Sequence, residues 1–430
     1  MHTKSTFKIA IRFLFFYFLF ITTGLFAQSA AEINPESIGV SIERLERIDN
    51  LLNQYISENK IPGAVALVAR NGQIVYHNAL GKKNIEENIT LQTSDIFRLA
   101  SMTKCITSVA LMMLYEEGKF LLDDPVYYYV PEFKDAKVAI FSDDSTYTTI
   151  PANKPVTIRH LLTHTSGIGY GAFDVKANLL YQPKMIPDAF VITETKIGEK
   201  MKLLAQQPLL HHPGERWTYG LSTDMIGYLV EIFSGQSLSD FMQQRIFNPL
   251  GMNDTQFFIS DNKAERLVPV YAANNPGELT VNETENEFQS FNFPIVGAKS
   301  YYSGGSGLSG TAIDYFKFAQ MLLNGGIYNN ARILSPITID LMTSNQIGDL
   351  TIGQDNPNYF GLGFAIISEK GAAKSMISEG RYNWSGFFNT VFWVDPKQKT
   401  VAVLLTQVSP SKSYGLFDKF QNIVNQAIIE

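Results

Sequence analysis

Two strand pairs sit at opposite ends of this 430-residue chain, and they constrain its fold more than any other feature. Near the N-terminus, "GAVALVARNGQIVYHNALG" is two apolar runs joined by Asn71-Gly72. Both residues tolerate the positive φ of a type I′ turn, so the segment reads as a β-hairpin. Near the C-terminus, "TVFWVDPKQKTVAVLLTQ" repeats the pattern around Asp395-Pro396. Outside each pair lies an amphipathic helix, "SIERLERIDNLLNQYISENKIPG" before the first and "YGLFDKFQNIVNQAIIE" after the second. An isolated hairpin is barely stable in water. The pattern therefore predicts one antiparallel sheet assembled from both termini and flanked by helices. The fold class is α/β in the sense of an α+β sandwich, with a mainly helical domain inserted. The expected division is an α/β part at about 40–98 and 295–430 and a helical part at about 99–294.

The first residues follow another logic. "MHTKSTFKIAIR" is basic, "FLFFYFLFITTGLFA" is apolar and "AQSAAE" is small, which is the order of a secretory leader. Cleavage is expected after Ala27, leaving residues 28–430 as one periplasmic or secreted hydrolase domain without stable membrane insertion. A retained anchor is the alternative, although the apolar run is shorter than the ~20 residues a span needs. Losing Lys4, Lys8 and Arg12 would take the formal charge from −6 to −9. An acidic body without a basic run excludes nucleic acid as a partner. Cys105 is the single cysteine, so no internal disulfide is available, and it reads as a small buried hydrophobe.

Between the ends lie recognisable helices. Ile106, Val109, Ala110, Met113 and Leu114 form a stripe behind Ser101, and "STDMIGYLVEIFSG" ends at Gly235. "TAIDYFKFAQMLLNGG" opens with capping-box spacing at Thr311 and Asp314. "VAIFSDDSTYTTIPANKP" and "AANNPGELTVNETENEFQS" read as polar surface excursions. No fixed-period repeat or low-complexity tract occurs.

"RLASMTKCITSVALMMLYEEGKF" sets Ser101 three residues before Lys104 at a helix start. At i and i+3 both side chains share a helix face. Free N–H groups and the positive end of the helix dipole suit a developing oxyanion. Serine needs a base, and lysine serves when its surroundings disfavour the charged form. Yet S-x-x-K occurs five times, at Ser5, Ser57, Ser101, Ser260 and Ser409, and a helix-capping serine beside a solvated lysine has the same spacing.

Context decides. "IFRLASMTK", "LDDPVYYYVPEF", "TIRHLLTHTSGIGYG", "HHPGERWTYGLSTDMIGYLVE", "GGSGLSGTAIDYFKFAQMLLNGG" and "YNWSGFFNTVFWVDPKQKTVAVLLTQ" follow in that order. Over roughly residues 40–428 the chain resembles the serine β-lactamase and penicillin-binding superfamily. The likeness is greatest to its class C branch and the family VIII carboxylesterases. The resemblance implies Ser101 as acylated nucleophile, Lys104 as its lysine and Tyr219 as the tyrosine of the second motif. It also implies the backbone N–H of Phe387, paired with that of Ser101, as the oxyanion site. Trp384, Ser385 and Gly386 fall at the third motif. Two departures stand out. The asparagine of the second motif is Leu221, and the Lys-Thr-Gly or His-Thr-Gly of lactam-processing members is Trp384-Ser385-Gly386. Tryptophan cannot pair with a substrate carboxylate as a cation would, so the change points to neutral esters. Arg381 is the nearby charge that keeps peptide and lactam substrates open.

Other candidates carry less. His160 and His164 at i and i+4, and His211-His212, lack an H-E-x-x-H frame or a cysteine partner, so no metal is expected. Gly304-Gly305-Ser306-Gly307 lacks the G-K-[ST] ending of a phosphate loop and reads as a flexible cleft edge, while Asp224 reads as a helix-start residue. The expectation is therefore a cofactor-free serine hydrolase acting on a small-molecule ester, amide or peptide, with carboxylesterase activity foremost. A D-Ala-D-Ala carboxypeptidase or β-lactamase is the alternative, and a non-catalytic envelope-binding protein of the same fold is a further one.

Overall fold

In the computed structural model, which describes residues 34–274, 277–286, 289–353 and 355–430, both terminal strand pairs join one sheet. The expected leader lies outside the described residues. The C-terminal strand Thr400–Leu405 pairs antiparallel with the first strand, Gly63–Arg70, from Val65 opposite Leu405 to Arg70 opposite Thr400. Gln73–Asn84 flanks it on one side, and Thr390–Asp395 followed by Tyr382–Gly386 extends the sheet on the other, to eight strands in all. The Asn71-Gly72 turn has positive φ at both residues, 53° and 77°, as type I′ geometry requires.

Alternation assigns each strand residue to one of two cores. Val65, Leu67, Ala69, Val401, Val403 and Leu405 face the larger core, against which Ala312–Leu323 packs. Ala64, Ala66, Val68, Ala402, Leu404 and Trp393 face Arg47–Ser57 and Leu416–Gln426. Burial on both faces explains why the central strands read as continuous apolar runs. The inserted segment opens and closes on a short ladder, Phe97 opposite Gly310 and Arg98 opposite Ser309. Asn34–Glu430 form one compact unit.

Three local readings need correction. The helix Thr103–Glu116 is buried all round from Thr103 to Leu114, not along one stripe, because sheet and inserted helices enclose it together. Thr311 caps its helix by accepting from the Asp314 N–H at 3.3 Å, but the Asp314 carboxylate does not return the bond. It accepts instead from the Asp254 N–H and pairs with Lys317. Within the first polar excursion, Lys137–Phe141 and Tyr147–Pro151 form a hairpin. Among the described residues, no helix is long and apolar enough to cross a membrane.

Candidate active site

Ser101 occupies the turn Ala100–Met102 that enters the buried helix. Ala100 adopts φ 46°, a left-handed conformation uncommon for a residue with a Cβ. It belongs to a small apolar cluster with Phe190, Phe293 and Phe388. The strand Tyr382–Gly386 lies against this turn. A Cβ at Gly386 would stand 2.3 Å from the Leu99 carbonyl oxygen, so only glycine lets the strand approach so closely.

Lys104 is 2% exposed. Its Nζ donates to the Gly305 carbonyl at 2.7 Å, the Tyr170 hydroxyl at 2.9 Å and Ser101 Oγ at 3.2 Å. All three ammonium donors are thereby used. The resemblance led to the expectation of Tyr219 at this lysine. Tyr219 contributes its ring, 4.8 Å from Nζ to centroid. Among the described residues, the phenol hydrogen-bonded to Lys104 is that of Tyr170. The Tyr219 ring is held by Trp217, His164 and Trp384, with centroids 5.9, 5.1 and 5.4 Å away. Burial, then the neighbouring Tyr219, Asp224 and Asp188, push the Tyr170 phenol well above its ordinary pKa.

Asp224 is also more than a helix-start residue. It is fully buried in the first turn of Ser222–Ser234, which packs against the Ser101 helix. Its Oδ1 accepts from Ser303 Oγ at 2.6 Å and from the Gly305 N–H at 3.3 Å. Burial raises its carboxyl to about 6, against the opposing pull of Lys104. The glycine run is correspondingly not a flexible edge. A Cβ at Gly304 would meet the Thr223 carbonyl at 2.6 Å, and Thr107 Oγ1 donates to the Gly304 carbonyl at 2.7 Å.

Beside Ser101 is a cavity of about 280 Å³ walled by Phe173, Phe190, Phe291 and Phe387, with Tyr170 and Ser306 also lining it. Phe387 borders this cavity, but the rest of the third-motif block does not. Trp384 and Ser385 line a separate groove of about 500 Å³ toward the C-terminal helix, and Gly386 lines a smaller one with Asn389 and Phe417. Arg381 is turned away altogether. It is 1% exposed, donates through Nη2 to Gln421 at 2.6 Å and stacks 4.3 Å from the Trp393 ring centroid. The charge proposed to replace the missing motif cation thus belongs to the opposite layer. Leu221, where an amide is absent, is fully buried.

The histidines have structural partners. His160 completes a capping box with Thr157. His164, at φ 55°, packs against Tyr219, and its Nε2 lies 3.5 Å from Thr223 Oγ1. His211 Nε2 lies 2.8 Å from Thr218 Oγ1. Cys105 is buried, and its Sγ donates to the Gly363 carbonyl. A larger cavity of about 800 Å³, near Met376, Lys397 and Glu430, contains none of the candidate residues.

The Beta-lactamase family model matches residues 48–422. Esterase EstB of Burkholderia gladioli is 29% identical over 394 residues, 89% of this chain and 95% of that protein. A putative D-alanyl-D-alanine carboxypeptidase of Escherichia coli K12 is 25% identical, over 91% of this chain and 89% of its own. Among solved structures, EstCE1, described as a hydrolase with promiscuous acyltransferase activity, superposes with a TM-score of 0.77 at 27% identity, covering 90% of this chain and 99% of that one. The chain belongs to the β-lactamase family and is a serine hydrolase of that fold.

Proposed function

We propose that the protein is an exported carboxylesterase-type hydrolase that works through an acyl-enzyme on Ser101. The observation carrying this reading is the contact of the buried Lys104 with both Ser101 Oγ and the Tyr170 hydroxyl, beside a cavity walled by phenylalanines. Once the Lys104–Tyr170 pair has released one proton to solvent, Ser101 Oγ attacks the ester carbonyl while its own proton passes to the pair. The tetrahedral oxyanion is held by the backbone N–H groups of Ser101 and Phe387, each worth ~3 kcal/mol of barrier. Collapse expels the alcohol, which takes the proton back from the pair. Water then repeats the sequence on the acyl-serine and frees the acid.

A neutral substrate is supported by the burial of Arg381 against Trp393, since no arginine among the described residues lines the Ser101 cavity. Peptide and lactam substrates are the second reading, supported by the name of the E. coli relative. Labelling of Ser101 by a fluorescent penicillin at low concentration would favour it. The test of the main reading is p-nitrophenyl butyrate hydrolysis by the wild type and Ser101→Ala. Turnover that disappears in the variant is expected, and turnover that survives refutes the assignment. Export is tested separately: the exported protein should begin at Gln28.

A further inference from the structure

Asp224 has no part in the proton path above, yet one residue links it to that path. The backbone of Gly305 bridges it to the lysine. The Gly305 carbonyl accepts from Lys104 Nζ at 2.7 Å, and the Gly305 N–H donates to Asp224 Oδ1 at 3.3 Å. The second oxygen, Oδ2, is buried and has no hydrogen-bond partner among the described residues. A Cβ at Gly305 would stand 2.3 Å from that oxygen and 3.1 Å from the Tyr170 hydroxyl. Only the absence of a side chain on Gly305 keeps open the space between carboxylate and phenol.

A wholly buried carboxylate with one oxygen unpaired is costly unless its charge is balanced. The cation interacting with it is Lys104. The remaining groups facing it are the Ser303 hydroxyl, the phenols of Tyr170 and Tyr301, and, more weakly, the Asp188 carboxylate. His164 borders Asp224's neighbour Thr223, and burial and Lys104 push its pKa well below the ordinary value, so it adds no positive charge at neutral pH.

We propose that Asp224 is a positioning residue, the resident counter-charge that helps keep a proton on the Lys104–Tyr170 pair and so sets the pH at which Ser101 becomes reactive. This inference rests on the reading of Ser101 as nucleophile. The Asp224 carboxylate is one of the neighbours that hold the Tyr170 phenol above its ordinary pKa. A negative neighbour disfavours the phenolate, so the pair gives up its proton through Tyr170 at higher pH with Asp224 ionised than without it.

The experiment measures kcat/KM for p-nitrophenyl butyrate against pH in the wild type, Asp224→Asn and Ser303→Ala. Asparagine keeps an oxygen for the bonds from Ser303 and Gly305 and removes the charge. Its acid limb should move to lower pH by about one unit or more, so that on the limb it retains about ten times more of its own plateau activity. Ser303→Ala keeps the carboxyl but removes the 2.6 Å hydrogen bond that favours the anion. The carboxyl then holds its proton to higher pH, and the limb moves in the same direction by less. If Asp224→Asn fails to fold, Ser303→Ala still carries the test. A lowered plateau with an unmoved limb in the folded variants, or a limb moved upward, overturns the proposal. Activity persisting in Ser101→Ala would instead remove the nucleophile reading on which it rests.

Discussion

Arg98 and Lys104, six residues apart, flank the Leu99–Thr103 turn and are both buried, at 1% and 2% exposure, but their surroundings answer that burial in different ways. Arg98 is tied to groups that only accept. Its guanidinium donates to the carbonyls of Phe291 and Val268 and to the side-chain oxygens of Gln407 and Asn292. Burial lowers its pKa to about 9. Lys104 has one carbonyl and two hydroxyls, which exchange protons as well as accept them. A guanidinium surrounded by carbonyls holds chain segments together, whereas an ammonium between a serine and a tyrosine can take part in proton transfer. The chemical character of the partners, more than burial itself, separates the structural cation from the functional one.

The strongest way to break this contrast is to remove each cation. Lys104→Met should lose about 10³-fold in kcat/KM while retaining a cooperative melt. Arg98→Met should instead lose about 3 kcal/mol or more of stability by leaving buried acceptors unpaired, with kcat/KM per folded molecule within a few-fold of wild type. Denaturant melts with active-site titration read both quantities. A Lys104 variant that is active but unstable would reverse the contrast. Next in size are the two tyrosines. Tyr170→Phe should lose about 10²-fold, because its hydroxyl bonds Lys104. Tyr219→Phe, which keeps the ring over the ammonium, should lose less than Tyr170→Phe. The opposite order would return the proton role to Tyr219, as the family resemblance implies.

Gly386→Ala probes the approach of the strand to the Ser101 turn. Its Cβ would meet the Leu99 carbonyl, so kcat should fall about tenfold if about 1.4 kcal/mol of barrier stabilisation is lost with that approach. A smaller effect is expected at a partly buried ion cluster, Asp254 with Arg266 and Lys263. Hydrogen bonds from Arg266 chiefly, and from Lys263, hold the Asp254 carboxyl down at about 2. A depressed carboxyl stabilises the fold above its unfolded pKa and loses that contribution as pH falls through the folded one. Asp254→Asn should therefore lower the melting temperature slightly at pH 6, with the difference closing from about pH 4 to pH 2. A difference that does not change with pH would mean that packing, not charge, is responsible.

The sheet was legible because its turns and strands have local causes: Asn71-Gly72 fixes one hairpin, and apolar runs fill two cores. Ser101 and Lys104 were legible only through the order of surrounding blocks, since the same spacing recurs at four other serines. Tyr170 stood inside one of those blocks but among 20 tyrosines, and its bond to Lys104 spans 66 residues that no local pattern connects. The direction of Arg381 was readable and missed. Positions three apart along extended chain point to opposite faces, so placing Trp384 on the Tyr219 side already puts Arg381 on the far side. The strands Lys137–Phe141 and Tyr147–Pro151 were missed because Val138 and Ala139 are the only buried residues in that pair, too few to show a period.

The most direct test of the central claim is to trap the acyl-enzyme. Full-length protein is mixed with p-nitrophenyl butyrate, quenched in acid within milliseconds to seconds and digested, and the peptides are weighed. The account predicts one butyryl group on the peptide containing Ser101, absent from Ser101→Ala and decaying as acid is released. Turnover with no acylated peptide at any time, or with the label on another residue, would contradict it.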